Sequence, residues 1–120
     1  MNLSFNTILS IVTQFYEKAT SDILIGYHFR GIEDFSTHLP RIASFWQLQL
    51  TGSIDNRAEL PFKLIPVHLA LKLNRGEVFR WVVLFEKTLD EYLSNKELSL
   101  DDKNLWMEKV HLFKERILAI

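Results

Sequence analysis

Four segments of this chain repeat apolar residues at spacings of three and four, and no segment alternates them in twos. The first spacing lines up side chains on one face of an α-helix, whereas alternation would line them up on one face of a strand. Segment 4–20 carries Phe5, Ile8, Leu9, Val12, Phe15, Tyr16 and Ala19. Segment 37–50 presents Leu39, Ile42, Ala43, Trp46 and Leu50, with Thr37 as its cap and Pro40 in its first turn, where a missing N–H does no harm. Beyond Gly76, which separates it from the preceding piece, a third helix buries Val78, Val82, Phe85, Leu89, Tyr92 and Leu93. Ser99 opens the fourth, with Asp102 three residues on as in a capping box, and Trp106, Val110, Phe113 and Ile117 follow as its stripe. Between these, 22–31 reads as a short helical turn and bend broken by Gly26 and Gly31. The 51–62 stretch, with Gly52, Asn56 and Pro61, is the longest loop, and Pro66 starts a short helix through His68 to Leu73. The expected class is all-α.

A chain of 120 residues is expected to form a single domain, 1–120, with a core of its own. Fourteen basic residues against fifteen acidic ones leave a net charge of −1, and no stretch gathers the Lys and Arg that a phosphate backbone demands, so no nucleic-acid partner is expected. No apolar run approaches the roughly 18 residues of a membrane span. Residues 1–15 lack a basic start and are interrupted by Asn6, Thr7, Ser10, Thr13 and Gln14, which does not suit a signal peptide; the expectation is a cytoplasmic protein without a membrane partner.

Cysteine is absent, which excludes disulfides, thiolate metal sites, iron–sulfur clusters and thiol nucleophiles together. Histidine is then the one strong nitrogen ligand, and there are four. No Ser-His-Asp order, Gly-rich phosphate loop or HExxH motif accompanies them, so no catalytic protein nucleophile is assigned. His28, in the short bend, and His111, off the buried line of the last helix, read as surface residues. Nine Phe, three Tyr and three Trp are many for this length: either something large and flat is packed here, or the core is simply aromatic.

The run Phe15-Tyr16-Glu17-Lys18, then Phe29, His38, Arg41-Ile42, Phe45-Trp46, His68 and Trp81-Val82-Val83-Leu84-Phe85 resembles the group III truncated haemoglobins, a bacterial globin family, in order and nearly in spacing. The likeness covers the chain from about Phe5 to Leu93. It implies a shortened globin fold, a helical sandwich around b-type haem, with His68 as the proximal ligand of the iron. It further implies Tyr16, His38 and Trp81 on the distal side, Phe29 packed on the porphyrin face and Ile42 over the iron.

The residues themselves agree with this implication. His68, among Leu64, Ile65, Leu69 and Leu71, offers an imidazole in an apolar setting, although a buried histidine bonded to backbone would look the same. Tyr hydroxyl, imidazole N–H and indole N–H all donate to a ligand that takes on negative charge. Phe45 and Trp46 suit either the haem or plain core packing. Trp81 lies off the main line of its helix, as either a cofactor-facing or an interfacial tryptophan would. Arg41 could reach a haem propionate or remain in solvent. Covalent attachment through CxxCH is excluded by the missing cysteines. The expected function is binding of dioxygen or another diatomic ligand, or redox chemistry on nitric oxide or peroxide of a dioxygenase-like or peroxidase-like kind, which would call for a reductase. The alternatives are a globin-like sensor or interaction module without haem, and an unrelated bundle whose aromatic core mimics the pattern.

Overall fold

The computed structural model describes residues 3–29, 35–53 and 73–119. Among them every regular element is helical: α1 (Phe5–Ser21), a 3-10 turn (Gly26–Phe29), α2 (Phe35–Thr51), α3 (Arg75–Ser94) and α4 (Leu100–Leu118). The all-α expectation holds for these residues. Most of the expected long loop, the expected helix at Pro66 and His68 itself lie outside them.

Three helices start where a side chain takes up an orphan N–H. Ser4 Oγ accepts from Thr7 at 3.2 Å, Asn74 Oδ1 from Glu77 at 2.9 Å and Ser99 Oγ from Asp102 at 3.1 Å. Each such cap stabilises by about 1 kcal/mol. Two expected boundaries are corrected. α2 begins at Phe35, so Thr37 is helical rather than capping, and Pro40 stands inside the helix, past its first turn. The proline removes one backbone bond there, close to the exposed Thr37 and His38, where water can replace it. Gly76 does not precede α3 but lies in its first turn, because Asn74 is the cap and forms a reciprocal box with Glu77. At α4 the expected box is only half made: Ser99 accepts from Asp102, while the buried Asp102 Oδ1 has no hydrogen-bond partner.

Helix ends are equally local. Gly52 takes a φ of 81° and its N–H closes on the Leu48 carbonyl at 3.0 Å, ending α2. α3 ends in a Schellman motif, with Glu97 N–H on the Tyr92 carbonyl (2.9 Å) and Lys96 N–H on that of Leu93 (3.1 Å). The left-handed position is occupied by Lys96, at φ 61°.

Two antiparallel crossings organise the packing. Across α1 and α3, Ser10 bonds Tyr92 at 2.6 Å, Phe15 meets Phe85 at 4.7 Å between ring centroids, and Asp22 pairs with Arg80 at 2.8 Å. Across α3 and α4, Lys114 lies over Phe79 and Lys103 reaches Asp90 at 2.5 Å. α2 runs along α1 and also contacts α4. Its residues 42–47 are all buried, so the helix is enclosed on every side over that stretch.

Trp46 is the hub of the core. Its ring lies 5.2 Å from Phe85, 5.7 Å from Trp106 and 5.6 Å from Phe113, so that α2, α3 and α4 converge on one indole. Each of these large rings buries a wide area, and their tilted and edge-on contacts add stabilisation beyond area alone.

Candidate functional site

α1 carries Phe15 and Tyr16 as neighbours, so one ring points into the core and the next lies about 100° round the helix, at its rim. Phe15 is buried and Tyr16 half-buried. The two rings meet edge-on at 5.0 Å. On the far side of the crossing, Phe85 is buried and Trp81, one turn earlier on α3, is half-buried, their rings 5.9 Å apart. With Phe15 against Phe85 at the centre and Phe29 edge-on to Tyr16 at 5.6 Å, five rings form one unbroken line: Phe29, Tyr16, Phe15, Phe85, Trp81. The structure thus sets Tyr16 against Phe29 and joins Trp81 to them through Phe15 and Phe85; all three pack against the core without being sealed inside it.

Burial disfavours the charged form of a phenol, and it holds the Tyr16 hydroxyl well above the ordinary tyrosine pKa.

The α2 candidates fall into two groups. Ile42, Phe45 and Trp46 are buried. Phe45 packs on Trp46 at 5.2 Å and on Phe113 at 5.3 Å, so both aromatic residues are core members, and Trp46 joins the five-ring line through Phe85. His38 and Arg41 are exposed on the N-terminal part of the same helix. His68 lies outside the described residues.

A polar cluster that the sequence did not announce stands at the start of α3. Glu77 is buried, its carboxylate only 4% exposed. Its Oε1 accepts the Asn74 N–H at 3.0 Å, and its Oε2 accepts the Tyr27 hydroxyl and lies 2.7 Å from His28 Nε2. Burial opposes the charge on Glu77, yet the bonds from Asn74, Tyr27 and His28 outweigh it and hold the carboxyl below its usual pKa. The same carboxylate, together with burial, raises the Tyr27 phenol. His28 is thereby corrected from a surface residue: its side chain is 8% exposed and bonded. His111 is exposed, as expected. The spacing Asn74-x-x-Glu77 was a readable capping signal, but the partnership with Tyr27 and His28, some fifty residues earlier, had no local signature.

One turn along α3, Arg80 donates through Nε to Asp22 Oδ2 at 2.8 Å. That bond holds the Asp22 carboxyl below its ordinary pKa against the cost of burial, helped by the N–H groups of Leu24 and Ile25 on Oδ1.

Among the described residues no three His, Asp or Glu side chains gather as a metal site, and no helix is long and apolar enough to cross a membrane. No family model, no curated protein and no solved structure matches this chain.

Proposed function

We propose that this chain is a haem-binding globin of the truncated kind, which takes dioxygen or another diatomic ligand at iron. The observation that carries the reading is the five-ring line across the α1–α3 crossing, with Tyr16 and Trp81 joined through Phe15 and Phe85 and with Phe29 closing on Tyr16. Of the five, Tyr16, Phe29 and Trp81 are residues that the family resemblance assigns to the haem pocket, and they come from three separate elements.

The donor chemistry fits the group. A ligand that gains negative charge on binding is retained by neutral O–H and N–H donors in a water-poor setting. The Tyr16 phenol carries such an O–H, as any tyrosine does at neutral pH. The Trp81 indole and the His38 imidazole carry N–H groups of the same use. His68 would supply the neutral imidazole to the metal, and Arg41, exposed on α2, is suited to a carboxylate at the pocket mouth. Phe45 and Trp46 support the site from the core. Haem, when bound, supplies an iron that takes the diatomic ligand and the change of oxidation state that goes with redox chemistry.

A donor-rich pocket favours slow release and a polarised ligand, which suits attack on nitric oxide or cleavage of a peroxide bond better than it suits transport. We therefore place redox chemistry, with an external reductase, ahead of carriage. Titrating the purified chain with haem tests the proposal: a Soret band that saturates at one haem per chain is the expected result. Scattered, unsaturable uptake would leave a globin-like module without cofactor.

A further inference from the structure

Glu77 commits both carboxylate oxygens to different parts of the chain. One serves its own helix, accepting the Asn74 N–H at 3.0 Å; the other holds Tyr27 and, at 2.7 Å, His28, neighbours in the 3-10 turn. Three residues along α3, Arg80 grips Asp22, whose other oxygen takes the N–H groups of Leu24 (2.9 Å) and Ile25 (3.2 Å) where the chain leaves α1. Segment 22–29 is thus tied to α3 at two points one helical turn apart. Gly26 lets it fold back on α1, since a Cβ there would stand 2.7 Å from the Thr20 carbonyl oxygen. The turn ends at Phe29, whose ring stands perpendicular to that of Tyr16 at 5.6 Å.

We infer that Glu77 is a positioning residue: through Tyr27 and His28 it holds the 26–29 turn so that Phe29 stays on Tyr16. It touches neither Tyr16 nor Phe29 through its own hydrogen bonds and acts through the turn. A carboxylate that served only stability would, when removed, lower the unfolding temperature and leave the folded surroundings of Tyr16 as they were. A positioning carboxylate changes those surroundings while the chain is still folded. Because the two rings now meet edge-on at 5.6 Å, a turn that moves must lengthen that distance.

The inference concerns the polypeptide alone and its test uses no haem, so it stands or falls apart from the haem reading; where both hold, Glu77 sets the cover over the distal tyrosine. The experiment labels tyrosine and phenylalanine rings for NMR in the 120-residue chain and compares Glu77→Gln and Tyr27→Phe with Ser10→Ala, which cuts a tie between α1 and α3 at the other end of their crossing. Tyr27→Phe removes only the hydroxyl of a half-exposed ring and keeps the test open if Glu77→Gln does not fold. The expected result is a weakened ring-to-ring Overhauser effect between Tyr16 and Phe29 in both turn variants, with the Tyr16 ring signals displaced from their wild-type positions as the edge-on Phe29 ring moves away. Ser10→Ala should change neither. An unchanged Overhauser effect and unchanged Tyr16 ring signals in the folded turn variants, or an equal change in Ser10→Ala, would overturn the inference.

Discussion

The rings of Phe15 in α1 and Phe85 in α3 meet at 4.7 Å, and each touches one of the two polar aromatics at the rim, Tyr16 at 5.0 Å and Trp81 at 5.9 Å. The contact therefore ties both rim residues to the core. Phe85 also meets Trp46 and Trp106 and is 1% exposed.

Phe85→Ala should cost about 3–5 kcal/mol of unfolding free energy, since four large rings cannot collapse into the gap it leaves. Val83→Ala, on the same helix but 53% exposed, should stay within about 0.5 kcal/mol of wild type. Urea unfolding of the two variants checks the contrast; equal losses would mean that the five-ring line is not the centre of the core.

Acid should loosen the chain where the turn meets α3. Asp22, lowered chiefly by its bond from Arg80, and Glu77, lowered by Asn74, Tyr27 and His28 in spite of burial, both have depressed folded pKa values. Such groups add stability that is complete above the unfolded carboxyl values of about 4 and is lost as the pH falls through the lower, folded values. Unfolding free energy should therefore drop on acidification below about pH 4, and Arg80→Ala should flatten part of that slope. A parallel pH profile for wild type and Arg80→Ala would contradict the assignment for Asp22.

Lys96 occupies the left-handed position of the motif that ends α3, where a side chain is strained and glycine is not. Lys96→Gly should raise stability by about 1 kcal/mol, seen as a higher midpoint in thermal unfolding. A lower midpoint would show that the Lys96 side chain contributes more than its backbone costs.

The helices were legible because periodicity is a local signal. Val78, Val82, Phe85 and Leu89, and Trp106, Val110, Phe113 and Ile117, are buried as their spacing required. What escaped was set by tertiary contact. Ile11, Ser44 and Gln47 lie off the expected stripes and are buried because neighbours enclose α1 and α2 more widely than one face. The Glu77 cluster escaped for the same reason: a carboxylate one residue from an apolar line reads as solvated until Tyr27 and His28 arrive from another element. Of the candidate site, Tyr16, Phe29 and Trp81 were singled out by resemblance, and their joining through Phe15 and Phe85 needed the fold. Thr37 and Gly76 were misread because capping depends on which residue first turns away from the helix, and Asn74 did so ahead of Gly76.

If Tyr16 and Trp81 both donate to the ligand, each bond to the charged partner is typically about 1.5–3 kcal/mol, and losing the main donor should speed dioxygen release roughly 10- to 150-fold. Stopped-flow release from haem-loaded Tyr16→Phe and Trp81→Phe measures this. Rates within about a factor of two of wild type in both would remove these donors from the account.

The central claim is that His68 holds haem iron, and the absorption spectrum of His68→Ala beside wild type tests it most directly. With haem supplied to both and excess removed by gel filtration, wild type should keep an intense Soret band, and His68→Ala should lose it or hold haem much more weakly, because no other imidazole is assigned to that side of the iron. Wild type that emerges without a Soret band, or a variant whose spectrum is unchanged, would contradict the account.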